Sequence, residues 1–361
     1  MRRLAILLAL AFPPAALASD AALDDANVRY GAAARASYAR TPDGAQARYE
    51  AGRNLVEAVL AAGPVSPQRR AVRAELLAQG RRAVARAEVL DRDPGFSSLG
   101  PLAPLPGIGP GVGPSRRDAR LARRLAAAAA TANGAAGIWV HELGSGRYAG
   151  HRADARFPAA STVKLGALVA ALGAASQPER SRWWYDVRQI GFWSSNLGAN
   201  RVLSGLGYAA VSGGLRRLGM RSSTYPGPYR ATTANRPPGP HTRVTTARDL
   251  GRALHRIHAG AHGSAQALRL LGLSPRQCVA ALRVLASAQP VRDNAGLLRP
   301  WLRGATVAEK NGWLSDTRTT AAIVYRGGRA TIVVVELYRP GVTAAEARRL
   351  GRRVLAAAGL A

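Results

Sequence analysis

The sequence predicts an α/β chain of the α+β type, with one antiparallel sheet built from both ends of a domain and covered by helices. Two hairpin signals lie far apart: Gly144-Ser145-Gly146 between Gly137–Leu143 and Arg147–His151, and Gly327-Gly328 between Ala321–Tyr325 and Ala330–Leu337. Helical segments fill the interval between them. Flanking helices are predicted at Asp118–Ala132 and Thr343–Ala358. Strands at both ends with helices between them bury their apolar faces best as one shared sheet under a helical layer.

Taken in order, the chain opens on a secretory signal. Arg2 and Arg3 form a charged start, Leu4 to Phe12 an apolar run, and Ala16-Leu17-Ala18 a small-residue cleavage site before Ser19. Residues 1–18 are therefore expected to be removed, leaving a secreted, periplasmic or cell-envelope protein. The apolar run is too short to span a bilayer, and no later run is long enough. No Cys follows the cleavage site, so no lipoprotein anchor is expected. Residues 19–93 read as a small helical region. Thr41-Pro42 and Ser66-Pro67 mark helix starts, and Leu55, Val59, Val72, Leu76 and Val84 return at helical spacing. Proline and glycine then punctuate a linker at 94–117, part stiff and part flexible. The remaining residues, 118–361, form the main domain.

The chain has 361 residues and a formal charge of +30. Its arginines are scattered along every helix and no nucleic-acid motif is present, so nucleic acid is not the expected partner. The charge reads first as a composition that favours Arg over Lys on solvated faces, and secondarily as adhesion to anionic envelope polymers. Cys278 stands alone in a predicted helix, Pro275–Ala288, and is expected to be a buried, inert thiol.

Three short motifs carry chemistry. Phe157-Pro158-Ala159-Ala160-Ser161-Thr162-Val163-Lys164 leads into an apolar helix, which puts Ser161 in its first turn and on one face with Lys164. A neutral amine within reach of a hydroxyl can act as its base. Trp193-Ser194-Ser195-Asn196 supplies a hydroxyl and an amide in a turn between helices. Glu309-Lys310-Asn311-Gly312-Trp313 precedes the Ala321 strand. Each motif alone also reads as a helix cap or a solvated turn; the three together, in this order, are much rarer. Of 51 basic residues only two are lysine, Lys164 and Lys310, and both lie in the motifs. Arginine keeps its proton, whereas a desolvated lysine can surrender one.

In these segments the chain resembles the penicillin-recognising serine enzymes, most closely the class A β-lactamases. The likeness runs from about Asp118 to the C-terminus and includes Asn200 and Val244-Thr245-Thr246-Ala247. It implies a β-lactamase/transpeptidase-like fold and a serine hydrolase, with Ser161 as nucleophile and Lys164 as base. Ser194, assisted by Lys310, would relay a proton to the leaving nitrogen. Asn196 would hold the substrate's side-chain amide. The N–H groups of Ser161 and Trp313 would form the oxyanion hole beside Gly312, and Lys310 with Asn311 would face the substrate carboxylate. No cofactor or metal is implied.

The sequence departs from that pattern where the family places a glutamate, on the Ω-loop, to activate the deacylating water. Here Ser222 through Arg243 contains no carboxylate, and His241 is the only titratable substitute. Ser195 replaces an aspartate, Asn311 replaces Thr or Ser, and the stretch from Ser161 to Ser194 is short. The expectation is an acyl-enzyme formed with β-lactams or cell-wall peptides and released slowly. A β-lactamase with a relocated base and a non-catalytic envelope-binding protein are the alternatives.

Overall fold

The structure is a computed structural model and describes residues 14–36, 42–92, 101–106, 113–229, 243–288, 294 and 296–361. The chain divides into two compact units, 1–98 with 230–233, and 99–229 with 234–361. The first contains α1 (Pro14–Ala36), α2 (Pro42–Ala61) and α3 (Arg70–Arg92). Leu23, Ala26, Leu55, Val59 and Leu76 form its core, whereas Val72 lies outward, 37% exposed. Gly52 and Gly80 face each other so closely that a Cβ on Gly52 would meet the Gly80 carbonyl at 2.7 Å, which lets α2 and α3 pack backbone to backbone. Helix α1 runs across Ala18, the predicted cleavage point, while residues 1–13 lie outside the described residues.

In the second unit, β1 (Arg116–Arg117) and α4 (Ala119–Ala130) precede the hairpin of β2 (Ala135–Glu142) and β3 (Arg147–His151). The short β4 (Phe157–Pro158) leads to α5 (Lys164–Gly173), α6 (Trp184–Phe192), α7 (Asn196–Leu206) and α8 (Tyr208–Arg217). After β5 (Val244–Thr245) come α9 (Ala247–Ala261), α10 (Ala265–Leu271) and α11 (Pro275–Ala286). The chain then returns to the sheet as β6 (Thr306–Leu314), β7 (Thr317–Arg326) and β8 (Arg329–Tyr338), and closes with α12 (Ala344–Ala357). The sheet order is β1-β3-β2-β8-β7-β6, antiparallel except for β1 with β3. The first and last strand pairs therefore meet at β2 and β8, as the two hairpin signals predict.

Both faces of the sheet are covered, which explains why β8 reads as an almost unbroken apolar run. Ile332 and Val334 enter a core with α5, α9 and α11, while Val333, Val335 and Leu337 enter another with α4 and α12. Caps set the helix ends. The Asp118 carboxylate accepts the Leu121 N–H at 2.8 Å, and Thr343 with Glu346 forms a reciprocal capping box. Cys278 is buried in α11, and burial pushes its thiol up to about 11.

Two expectations are adjusted. Glu309 to Trp313 is the body of a buried strand, β6, and not a turn. The described parts of the Pro/Gly stretch belong to the second unit: Ala103 N–H donates to Ser287 Oγ at 2.7 Å and Gly113 N–H to Leu143 O at 2.9 Å. No helix among the described residues is long and apolar enough to cross a membrane.

Candidate active site

Ser161 sits in a tight turn that enters α5, one turn ahead of Lys164, whose N–H donates to Ser161 O at 3.2 Å. The helix proper begins at Lys164, so the serine lies in the lead-in turn and not in the helix's own first turn. The preceding residue, Ala160, has φ +46°, a left-handed conformation that a residue with a Cβ adopts at a cost of about 1–3 kcal/mol. Its carbonyl is held by the Tyr229 hydroxyl at 3.0 Å.

Ser194 is the second strained residue, with φ +57°, in the turn between α6 and α7. Both lysines converge on it. Lys164 Nζ donates to the Ser194 carbonyl and, at 2.6 Å, to Asn196 Oδ1. Lys310 Nζ donates to Ser194 Oγ at 2.6 Å and to Asn311 O at 2.9 Å. Lys164, Lys310, Ser194 and Asn196 thus form one connected polar network, although they come from three separate segments. Ser195 caps α7, its hydroxyl accepting the Gly198 N–H at 3.0 Å, so a serine suffices at this position. The turn is braced from outside by a buried ion pair, Arg201 with Asp186, at 2.6 Å.

Burial sets the electrostatics of this network. Lys310 is 1% exposed, and desolvation lowers its pKa to about 7, against the opposing pull of the neighbouring Glu309. Glu309 projects to the other face of β6, where Arg299 pairs with it at 2.8 Å; burial nevertheless raises its pKa.

Gly312 explains why the third motif needs a glycine. A Cβ there would lie 3.0 Å from Ser161 N and 3.1 Å from Ala159 O, so the Ser161 turn rests directly on the β6 backbone. Because β6 is an edge strand, its outer backbone groups have no strand partner among the described residues. Trp313 follows, 45% exposed, with the Arg318 guanidinium over its ring at 5.7 Å.

Asn311 departs from its expected role against a substrate carboxylate. Its side chain turns into the fold, where Nδ2 donates to Asn294 O at 2.9 Å and Oδ1 accepts from Thr320 Oγ1 at 2.7 Å. Strand alternation dictates this: Lys310 and Gly312 share the site face, and the residue between them points away. Asn294 Nδ2 in turn donates to Phe192 O at 2.8 Å, tying β6 to the end of α6 just before the Ser194 turn.

The loop that lacks a carboxylate is anchored at both ends of its first described stretch. Asp249 accepts from Ser222 N at 2.7 Å and from Ser223 Oγ at 2.9 Å. Asn200 grips the backbone of Tyr229 twice, donating to its carbonyl at 2.8 Å and accepting its N–H at 2.7 Å. The Tyr229 ring lies 4.3 Å from Lys164 Nζ, and the Arg243 guanidinium also sits 4.3 Å from that ring. Tyr229, Asn294 and the Asp186–Arg201 pair escaped sequence reasoning, because no local pattern marks a partner so distant in the chain. His241 lies outside the described residues. Among the described residues, no group of three or more His, Cys, Asp or Glu is arranged to hold a metal ion.

The fold is that of the penicillin-recognising serine enzymes, as comparison with known proteins shows. The beta-lactamase enzyme family matches residues 120–182 and 187–358, and the chain belongs to that family. Among solved structures, PBP-A aligns with a TM-score of 0.55 at 20% identity, over 69% of this chain and 99% of that one. A mutant of PBP-A in acyl-enzyme complex with penicillin-G aligns at 0.54 and 21% identity, over 69% and 99%. The beta-lactamase from Sphaerobacter thermophilus aligns at 0.53 and 24% identity, over 67% and 97%. These likenesses establish the fold. A comparison with curated proteins gives no match.

Proposed function

We propose that this β-lactamase-family hydrolase is an exported enzyme that acylates Ser161 with a β-lactam, or with a cell-wall peptide or amide ending in a carboxylate, and releases the product slowly. The observation that carries this reading is the convergence of the chain's two lysines on Ser194, one on its carbonyl and one on its hydroxyl. In the proposed reaction Lys164 takes the Ser161 proton as Oγ bonds to the substrate carbonyl carbon. The N–H groups of Ser161 and Trp313 hold the resulting oxyanion. The C–N bond then breaks, the nitrogen receives a proton from Ser194 Oγ, Lys310 resupplies Ser194, and Lys164 passes its proton through Ser194 to Lys310. The net transfer is one proton from Ser161 to the leaving nitrogen. Asn196 contacts the substrate amide. With the Asn311 amide committed to the interior, Lys310 is the charge offered to the substrate carboxylate.

Slow release follows from the loop. No Asp or Glu occurs between Asp186 and Asp249, and loss of a general base costs about 10²–10⁴ in rate. The arginine-rich surface would favour retention on anionic envelope polymers. Mixing the enzyme with a chromogenic cephalosporin should give a burst equal to the enzyme concentration, followed by slow turnover, and intact mass should show the adduct. Ser161→Ala should abolish both. Fast steady hydrolysis without a burst would refute slow release, and a protein that never gains mass would refute the acyl-enzyme.

A further inference from the structure

We infer that Tyr229 is a positioning residue that keeps the acyl-enzyme dry and holds the nucleophile turn in its strained form; this rests on the acyl-enzyme reading above. Three contacts place it. Its backbone is fixed by Asn200 at 2.7 and 2.8 Å, its ring lies 4.3 Å from Lys164 Nζ, and its hydroxyl donates to Ala160 O at 3.0 Å. Tyr229 is 7% exposed and Lys164 fully buried, so the ring covers one side of the amine.

The phenol cannot substitute for the missing base. Burial raises its pKa well above 10, and its one proton is already given to the Ala160 carbonyl. Tyr229 therefore acts by occupancy. Lys164 can act again as a base once its proton has returned to Lys310 through Ser194, and the Tyr229 ring beside it keeps water away. With the ring removed, water beside Lys164 gives the amine a proton as its oxygen bonds to the acyl carbon. The ester C–O bond then breaks, and Ser161 Oγ takes that proton back, freeing a carboxylic acid. The hydroxyl acts separately, steadying a carbonyl whose residue has φ +46°, directly before the nucleophile.

The ring and the hydroxyl are separated by two variants, each pulsed with penicillin G and followed by intact mass. Tyr229→Ala should shorten the adduct half-life by at least about tenfold, a floor below the roughly 10²–10⁴ that a positioned base supplies. Tyr229→Phe should leave the half-life within about twofold while slowing adduct formation several-fold, as expected for loss of one hydrogen bond. An unchanged half-life in Tyr229→Ala, or a shortened one in Tyr229→Phe, overturns the inference. Amine-reactive labelling with peptide mapping judges the plug without any β-lactam, because the chain has only two lysines. Lys164 should label several-fold faster relative to Lys310 in Tyr229→Ala, because the ring no longer covers the amine. Equal ratios would overturn the plug. If the native protein forms no adduct, the functional reading falls while the labelling result still decides the role of Tyr229. If Tyr229→Ala fails to fold, the Tyr229→Phe half-life and rate decide it.

Discussion

At the scale of single residues, the acidity of Lys310 links structure to a measurable pH profile. In the proposed reaction the free enzyme needs this amine charged, both to supply Ser194 and to attract a carboxylate. The second-order rate of acylation should therefore fall as pH rises through about 7, the value to which burial lowers Lys310. Lys310→Arg should show a lower rate without that alkaline limb, because a guanidinium keeps its proton. Stability follows the opposite course. Between about 7 and the ordinary 10.5, the unfolded chain binds a proton that the folded one does not, so stability rises with pH across that window. Below it, the cost of burying the cation is fully present. Thermal melts from pH 6.5 to 10.5 should show this rise, and Lys310→Met should flatten it. Gly312→Ala tests contact where charge plays no part. Its new Cβ would sit 3.0 Å from Ser161 N, and acylation should drop by at least about tenfold as the nucleophile turn is pushed off β6.

At the scale of elements, the site depends on how β6 is tied to the helices. Asn311 and Asn294 connect the strand to the end of α6, which fixes the Ser194 turn relative to Lys310. Asn311→Ala should cost about 1–3 kcal/mol by leaving buried partners unsatisfied, measured by denaturant unfolding. Acylation should fall with it. Helix α9 carries a second dependence on pH. His255 lies against His141 of β2 with ring centroids 5.3 Å apart, while His258 meets Tyr325 of β7 at 3.2 Å and His262 at a ring distance of 4.1 Å. Burial lowers His141 to about 4 and His258 to about 3. Their unfolded forms charge near 6.5, so between that value and about 4 the unfolded chain gains protons that the folded one refuses. The melting temperature should fall steadily as pH drops through this range, and His258→Phe should reduce the slope. Caps, hairpins and helix spans were legible from local chemistry at this scale, as at Asp118 and Thr343. The strand character of Glu309–Trp313 was not, because a segment reading Glu-Lys-Asn looks solvated until the fold supplies Arg299, Ser194 and Asn294 as its partners.

At the scale of the whole molecule, a charge of +30 keeps copies apart and suits an anionic surface. Retention on an immobilised polyanion should be lost by about 0.5 M salt, where screening confines attraction to a few ångströms, and Ser161→Ala should not alter it. Two layers of helices around one sheet also explain how much the sequence alone could convey. A hydroxyl and an amine three residues apart fall within one turn, which is why Ser161 and Lys164 stand out as candidates from spacing alone. The confinement of lysine to two positions was equally plain. Nothing local could show that Asn311 turns inward, that Lys310 is desolvated, or that Tyr229 lies against Lys164. Each of those depends on groups tens of residues away, and burial, which decides both hydrogen-bond partners and proton affinity, exists only once the distant segments have packed.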